Sequence, residues 1–388
     1  MRSGSPLRIL VVVARDTLNP RAGGGDQHMA LLAHELASKG HRVTLWSASS
    51  PGLLRLDRSG EVTVHRLAPS RLLAPVVWAR FLTGSARGFD VVIEEVIGGE
   101  RFPFLGPILS HRPCVGMWYQ DNRPLFLASY GLVARRLATL LQTALLRLYR
   151  DRFLITPSET TRQWLISTGL APNRVVVHNP KVIGSAEPAS LLPFAGRRNR
   201  FVSIGKFQPL KRFEEAINVL DRLTEVVPDA ELVLLGREDN AVYLTELRSR
   251  IAGSHFPAHI SLILNALDSQ KNDILASAKA LSIHSPIEGF GWTIPEAGLR
   301  GVPVIANLGT PAEAIEEDTN GTRVPFGDVE AYTRILVRWM TDEPEWTRLS
   351  QGAIQVAHRF ADPMLSPAVE ALILRAAWSE FTPTPVQR

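Results

Sequence analysis

The chain has 388 residues, 45% of them hydrophobic and 21% charged, which excludes a disordered chain and predicts a soluble protein of two domains. Its net charge of +5 would allow binding to nucleic acid or anionic lipid. No motif of mixed basic and aromatic residues accompanies the charge, so we predict no nucleic-acid partner. The single cysteine, Cys114, can form no internal disulfide, and the N-terminus lacks a signal-peptide pattern; both features predict a cytoplasmic protein.

The first half of the chain alternates between patterns of buried strands and of helices. An apolar, β-branched run at Leu7–Ala14 predicts a strand, and the glycine-rich turn that follows leads into a helix ending at Gly40. A second strand at His41–Trp46 completes the opening of a Rossmann-like sheet. Further strands are predicted at Glu61–Leu67, Phe89–Glu95, Pro113–Asp121, Phe153–Ser158 and Val175–Pro180, and helices at Arg71–Phe81, Pro103–Leu109 and Glu159–Ser167.

A long amphipathic segment covers Ser129–Phe153. Leucines between Leu132 and Leu148 follow one helical face, and five arginines surround it: Arg135, Arg136, Arg147, Arg150 and Arg152. Two interpretations stay open. The helix either packs its leucines on the sheet and exposes a basic face, which the pattern favours, or rests peripherally on an anionic membrane.

The second half of the chain restarts the strand–helix alternation after a linker at Lys181–Asn199, which is rich in Pro, Ser, Ala and Gly. A helix is predicted at Phe213–Val226 and a last helix at Pro363–Trp378. Strands are predicted at Arg200–Phe207, Ala230–Gly236, Ile260–Leu264, Ala278–Ile283 and Val302–Ala306. Two successive Rossmann-like units predict an α/β protein with two parallel sheets.

The turn after Ala278–Ile283 carries the strongest functional signal. Gly289 and Gly291 allow backbone N–H groups to approach a ligand closely. Thr293 is the predicted N-cap of the following helix, and Pro295 suits its first turn.

Two carboxylates flank this turn. Glu288 follows the strand, and Glu296 lies in the first helical turn. Carboxylates beside exposed amide donors suit a ligand that is both anionic and rich in hydroxyl groups, and a nucleotide sugar is such a ligand.

Two lysines follow the first strand of the second half. Only six of the 43 basic residues are lysine, yet Lys206 and Lys211 lie five residues apart. A compact ammonium group near a diphosphate is one reason to use lysine rather than arginine. The helix that starts near Phe213 would add the positive end of its dipole.

The segment E-G-F-G-x-x-x-P-E-A, from Glu288 to Ala297, resembles the retaining glycosyltransferases of family 4. The resemblance implies the GT-B fold, in which two Rossmann-like domains face each other across a cleft and the C-terminal helix crosses back to the first domain. It implies a first domain at 1–185, joined by 361–388, and a nucleotide-sugar-binding domain at 186–360.

The resemblance also implies roles for residues of the second half. Glu288 would lie at the donor sugar, and Glu296 would bind the nucleotide ribose. Lys206, where the family has Arg, and Lys211 would hold the donor diphosphate. The donor-binding set would further include Gly289, Phe290, Gly291, Trp292 and Leu267, the last beside the base.

The first half resembles the family more weakly. Gly24 and Gly25 match the family's glycine-rich turn, expected near the donor phosphate and the acceptor, but Asp26 replaces the usual Glu. A His that commonly faces the donor sugar has no counterpart near Tyr119. Tyr119, Asp121 and Asp26 are therefore the acceptor-side candidates, although Tyr119 and Asp121 could equally be ordinary loop residues.

These observations predict a retaining, metal-independent glycosyltransferase without cofactor, acting as a monomer or dimer. It would move a hexose-type sugar from a UDP or GDP donor to the hydroxyl of a glycan, a lipid-linked glycan or a small metabolite. Two alternatives stay open: a GT-B sugar-nucleotide epimerase, and a nucleotide-sugar or glycan-binding protein with impaired catalysis. An anionic membrane, such as the inner face of the plasma membrane, is a further candidate partner.

Overall fold

A computed structural model describes residues 6–96, 102–129, 131–182, 191–361 and 365–379. The chain divides into two compact units. Unit 1 comprises 1–120, 139–181 and 363–388, and unit 2 comprises 121–138 and 182–362. The predicted boundary between 185 and 186 lies outside the described residues.

Unit 1 is built on an eight-stranded sheet in the order β3-β4-β2-β1-β5-β6-β7-β8, parallel except for the β3–β4 hairpin. The strands are β1 Arg8–Val12, β2 Arg42–Ser49, β3 Leu56–Ser59, β4 Val62–Pro69, β5 Val91–Glu95, β6 Cys114–Met117, β7 Phe153–Thr156 and β8 Val175–Val177. Apolar runs such as Ile9–Val12 are completely buried, as expected for parallel strands covered on both faces.

The helices of the first half are α1 Gly24–Ser38, α2 Ser70–Leu82, α3 Gly106–Leu109, α4 Arg123–Ser129, α5 Leu132–Leu148 and α6 Glu159–Ser167. The last helix of the chain, named α13 (Pro367–Ser379), packs on β5–β8 and shares a core with α1. The predicted return of the C-terminal helix to the first domain is therefore confirmed.

Unit 2 contains a six-stranded, all-parallel sheet in the order β11-β10-β9-β12-β13-β14. Its strands are β9 Arg200–Phe207, β10 Glu231–Glu238, β11 Ile260–Leu264, β12 Ala280–Ile283, β13 Val304–Asn307 and β14 Gly321–Val324. Its further helices are α7 Phe213–Thr224, α8 Ala241–Ala252, α9 Asp268–Ala276, α10 Thr293–Gly298, α11 Val329–Thr341 and α12 Glu343–His358. Each face of the sheet has its own apolar core.

Two local predictions were wrong. Helix α1 already begins at Gly24, so Gly24 and Gly25 form its first turn rather than a loop before it. Thr293 is the first residue of α10, and Trp292 holds the N-cap position. Residues 121–138 group with unit 2, in which α4 packs against the turn Pro209–Lys211.

The favoured interpretation of the amphipathic segment was also wrong for the first turns of α5. Only Gln142 and Leu145 of this helix are buried. The leucines expected to pack on the sheet are exposed instead, by 55% at Leu132, 62% at Leu137 and 66% at Leu140.

A buried carboxyl group gives unit 1 a pH-dependent stability. Both oxygens of Glu94 accept the N–H of Gly106, at 3.0 and 2.9 Å, and Tyr149 donates its hydroxyl to the same carboxyl group. Burial raises the pKa of Glu94 to about 7, above the value of about 4.3 in an unfolded chain. The stabilisation that comes from keeping Glu94 neutral is therefore complete below about pH 4 and is lost as the pH rises through 7.

We expect the free energy of unfolding to fall by about 2–3 kcal/mol between pH 5 and 8 because of Glu94. Glu94→Gln cannot ionise, and its amide oxygen can still accept from Tyr149, so the variant should lose this part of the pH dependence. Urea unfolding of both proteins at several pH values measures the difference. Parallel curves for the two proteins would contradict the assignment.

Candidate functional site

The order of strands in unit 2 locates a ligand site without reference to any other protein. From β9, the chain builds the sheet outward through β10 and β11 and then returns to the other side of β9 with β12, β13 and β14. Open parallel sheets bind ligands outside the carboxyl ends of the strands where the order reverses. In unit 2 that place is the edge formed by β9 and β12, where Lys211 and Glu288 follow the two strands.

Lys211 and Glu288 meet at this edge. The Lys211 ammonium donates to Glu288 Oε1 at 2.5 Å, and the two side chains are 21% and 13% exposed. The pair is thus partly shielded from water but still reachable, which strengthens its electrostatic interaction relative to a surface ion pair.

The loop that carries Glu288 is held in place by its neighbours. Tyr332 donates its hydroxyl to the carbonyl of Ile283 at 2.5 Å, Asn307 donates to the carbonyl of Ser285, and the Glu288 N–H donates to the carbonyl of Gly309 at 3.2 Å. These bonds hold the backbone of the loop that carries Glu288.

The glycine turn has a steric reason for its sequence. Gly291 has φ of +91°, and a Cβ there would lie 2.5 Å from the Ile294 side chain. Phe290 is 1% exposed and packs edge-on against Phe360 at 5.0 Å. The phenyl ring of this predicted donor-binding residue therefore anchors the turn in the core, so only its backbone remains for a ligand. Gly289 and Trp292 are partly buried beside it.

Glu296 contacts a lysine that the sequence patterns missed. Lys271, on α9, donates to Glu296 Oε1 at 3.0 Å. Burial acts to lower the Lys271 pKa, but Glu296 and Asp268 outweigh it and raise the value. Lys271 is one of only six lysines, a signal that could have identified it. Leu267, predicted beside the base, occupies the N-cap position of the same helix and is 74% exposed.

Two further expectations at this edge concern the position of Lys206 and the dipole of α7. Lys206 lies near the end of β9, partly buried and paired in register with Arg237 of β10. The expected dipole contribution of α7 is weakened, because Glu214 and Glu215 occupy its first turn and Tyr243 accepts the N–H of Phe213 at 2.9 Å.

His284, which directly follows β12 and lies four residues before Glu288 in the chain, is held neutral. Burial lowers the pKa of His284 to about 3, and its ring stacks on Tyr332 with centroids 4.4 Å apart. Glu215 Oε2 lies 3.9 Å from its Nδ1. Glu215 is turned towards Arg212, whose Nε donates to it at 3.0 Å. Arg212 is therefore directed towards α7, while Lys211 is directed towards Glu288.

In unit 1 the order of strands reverses between β1 and β5, and the start of α1 lies at this edge. Tyr119 donates its hydroxyl to the carbonyl of Gly25 at 2.7 Å, and its ring would lie 3.2 Å from a Cβ at Gly25. Burial, together with the carboxylates of Glu95 and Asp26, raises the pKa of the Tyr119 phenol. Tyr119 is thus a neutral phenol that fixes the glycine turn.

The other acceptor-side candidates also have local partners. Asp26 is 6% exposed and accepts the N–H groups of Gly23 at 2.8 Å and Arg15 at 3.1 Å, which caps α1. Asp121 pairs with Arg123 at 2.6 Å and is grouped with unit 2.

A buried chain that the sequence patterns missed supports α1. His28 Nε2 lies 2.7 Å from His178 Nδ1, and His178 Nε2 lies 2.8 Å from Glu35 Oε2, while Lys181 pairs with the other oxygen of Glu35. Burial and the neighbouring His178 lower the pKa of His28. The 150-residue separation of the two histidines explains why no local pattern reveals the contact. Among the described residues, no group of three or more His, Cys, Asp or Glu side chains could hold a metal ion.

Comparison with known families accounts for both units. The family model for glycosyltransferase family 4 matches residues 22–180, and the model for glycosyl transferases group 1 matches residues 191–356. The first match covers the glycine turn at the start of α1 and the strands β2 to β8, and the second covers both acids and both lysines of the predicted donor site.

Individual relatives and structures agree with these matches. A phosphatidyl-myo-inositol mannosyltransferase from Mycolicibacterium smegmatis is 24% identical over 346 residues, covering 87% of this chain and 86% of that protein. The structure of a sucrose-phosphate synthase from Thermosynechococcus elongatus has a TM-score of 0.72 at 15% identity, covering 97% of this chain and 98% of the other. Anabaena HepE in complex with UDP-glucose has a TM-score of 0.68 at 16% identity, covering 97% and 99%. The structural likeness establishes the GT-B fold.

Proposed function

Because the chain belongs to glycosyltransferase family 4, we propose that it transfers a hexose-type sugar, with retention and without a metal ion, from a nucleoside diphosphate sugar to an acceptor hydroxyl. The observation that carries the proposal is the contact of Lys211 with Glu288 at the point where the strand order of unit 2 reverses.

The two side chains suit opposite parts of one donor. The Lys211 ammonium, with Lys206 nearby on the same strand–turn segment, would neutralise the diphosphate, on which negative charge grows as the bond to the sugar breaks. The Glu288 carboxylate would accept hydrogen bonds from sugar hydroxyls. The loop bonds around Glu288 would keep this arrangement in place before the donor arrives.

The reaction follows from this placement. The anomeric C–O bond to the diphosphate breaks and its electron pair stays on the phosphate oxygen. The acceptor oxygen bonds to the anomeric carbon from the same face, which gives retention. The acceptor proton passes to the departing diphosphate, so charge and atoms balance without a further reagent.

The comparisons support a choice of donor and acceptor class. HepE is described in complex with UDP-glucose, and the Mycolicibacterium smegmatis relative is named as a mannosyltransferase acting on phosphatidyl-myo-inositol. We propose a UDP- or GDP-hexose as donor and a polyhydroxylated acceptor. Thermal shift against a panel of UDP- and GDP-sugars, followed by measurement of nucleoside diphosphate release with and without polyol acceptors, tests the proposal. If no donor in the panel produces a thermal shift and none releases nucleoside diphosphate, the proposal is refuted.

Glu296 is proposed to accept both ribose hydroxyls, with Lys271 holding its carboxylate in place. Glu296→Ala should weaken binding of the nucleotide sugar by about 10- to 100-fold, since hydrogen bonds to a charged group contribute about 1.5–3 kcal/mol. Calorimetry measures the affinity. Glu330→Ala is the matched control, because Glu330 is 68% exposed and pairs only at the surface with Arg222. Unchanged affinity in Glu296→Ala would remove the ribose assignment.

The exposed face of α5 is proposed to rest on an anionic membrane, such as the inner face of the plasma membrane. Leu137, Leu140 and the 72% exposed Val133 form an apolar face. The exposed Arg136 and Arg147 on the same helix supply complementary charge to anionic headgroups. No helix among the described residues has the length and apolar character needed to span a bilayer.

Leu137→Asp and Leu140→Asp should each reduce binding to phosphatidylglycerol vesicles by about 10-fold or more, because burying a leucine contributes about 1.5–3 kcal/mol. Vesicle sedimentation measures the bound fraction, with phosphatidylcholine vesicles for comparison. Val226→Asp, also at an exposed apolar residue (62%), should bind as the unmodified protein does. Equal binding of all three variants would contradict the membrane contact.

A further inference from the structure

The turn that carries Lys211 ends in a left-handed backbone conformation. Arg212 has φ of +52° and ψ of +40°, a region that residues with a Cβ rarely adopt. It closes the 3₁₀ turn Pro209–Lys211 and opens α7. Its N–H donates to the carbonyl of Pro209 at 3.2 Å, and its carbonyl accepts the N–H of Glu215 at 2.9 Å. The direction of Lys211 relative to α7 is therefore set at Arg212.

The side chain of Arg212 is held by two acids of α7 and by an aromatic ring. Its Nε donates to Glu215 Oε1 at 3.0 Å, and its Nη2 lies 2.9 Å from the same oxygen. Its Nε also lies 3.3 Å from Glu214 Oε1, and its guanidinium carbon lies 5.6 Å from the centre of the Phe326 ring. Because Glu215 is only 6% exposed, its pair with Arg212 is stronger than a pair at the surface. These contacts offset the free-energy cost of the left-handed backbone.

The turn places the aliphatic stem of Lys211 across the end of β9. A Cβ at Gly205 would lie 3.4 Å from the Cγ, Cδ and Cε atoms of Lys211, so the stem passes over bare backbone. The ammonium group then reaches Glu288 at 2.5 Å. If the backbone at Arg212 took another conformation, the stem would leave Gly205 and the ammonium group would lose this contact.

We propose that Arg212 is a positioning residue for Lys211. Its left-handed backbone, stabilised by the pair with Glu215, aims the Lys211 ammonium group at the diphosphate of the donor. Because its guanidinium is already engaged by the two acids of α7, Arg212 acts through Lys211 and does not contact the donor. The inference deepens the role of Lys211 and therefore rests on the proposed function.

Glycine and alanine in place of Arg212 separate the backbone from the charge. Both substitutions remove the guanidinium, but only glycine adopts the left-handed region freely. Arg212→Ala should lower the rate of sugar transfer by about 5- to 30-fold, which corresponds to the usual cost of this conformation for a residue with a Cβ. Arg212→Gly should stay within about threefold of the unmodified protein. Equal losses in the two variants, or no loss in Arg212→Ala, would overturn the proposal.

Glu215→Ala tests the partner of Arg212. Without the Glu215 carboxylate the left-handed turn loses its support, so the transfer rate should fall as it does in Arg212→Ala. In the Arg212→Gly background the same substitution should cause almost no further loss, because glycine needs no such support. Losses that simply add in the double variant would contradict the link between the two residues.

Asp318→Ala is the matched control for the backbone. Asp318 is exposed, has φ of +58° and precedes β14, at the edge of the sheet opposite to the one where Lys211 and Glu288 follow their strands. Its substitution should lower the melting temperature and leave the transfer rate unchanged. A fall in rate equal to that of Arg212→Ala would show that lost stability, and not the direction of Lys211, causes the effect.

Crystal structures of the two variants give a readout that needs no donor. The contact between Lys211 and Glu288 should persist in Arg212→Gly and be lost in Arg212→Ala. A contact that persists in both variants, or is lost in both, would overturn the positioning role. Calorimetry of the unmodified protein with UDP and GDP tests the donor site separately, so the proposed function and the role of Arg212 can fail independently.

Discussion

Replacing Lys211 with methionine should lower the rate of sugar transfer by about 10²- to 10³-fold, the usual cost of removing one preorganised group that stabilises transition-state charge. The ammonium group is proposed to meet the diphosphate as the sugar departs, and methionine keeps the length of the side chain without the charge. Binding of the free nucleoside diphosphate should weaken by about 10-fold or more. Release of nucleoside diphosphate measures the rate, and calorimetry measures the binding.

Lys39→Met is the matched control for Lys211→Met. Lys39 belongs to unit 1, is 40% exposed and lies 3.7 Å from Glu370. Its substitution should leave both quantities unchanged, while Lys211→Arg should keep part of the activity because the charge remains. A transfer rate within about threefold of the unmodified enzyme in Lys211→Met would contradict the role of Lys211.

Replacing Glu288 with glutamine should have opposite effects on catalysis and on product affinity. Transfer should fall by about 10- to 100-fold, since the sugar hydroxyls lose a charged partner. The nucleoside diphosphate should bind more tightly, because Lys211 no longer shares its charge with Glu288 at 2.5 Å.

Calorimetry with UDP and GDP, beside the transfer assay, measures both effects of Glu288→Gln. Glu313→Gln serves as a comparison at the turn after β13, where no donor contact is proposed. Weaker or unchanged binding of the nucleoside diphosphate to Glu288→Gln would show that Glu288 does not compete with the diphosphate for the charge of Lys211.

The sequence was sufficient for most of the strands and for the residues that follow β9 and β12, but it missed the short strands β3 and β14 and the short helix α4. Buried parallel strands are continuous apolar runs, and glycines mark the turns after them, so both are visible locally. The contact between Lys211 and Glu288 requires one more fact, the adjacency of β9 and β12, which only the sheet order supplies.

Other parts of the site depend on tertiary contacts that no local pattern encodes. Lys271 reaches Glu296 from a different helix, 25 residues away. His28 meets His178 across 150 residues. Periodicity predicted the amphipathic α5 correctly as a helix, but its apolar face could not reveal whether another element covers it, and the structure leaves that face exposed.

The most direct test of the account is a double-mutant cycle on Lys211 and Glu288, with binding of the nucleoside diphosphate as the readout. The account predicts that Glu288→Gln tightens binding in the unmodified enzyme and that this gain disappears in the Lys211→Met background. An equal gain in both backgrounds would contradict the claim that these two side chains form one donor site.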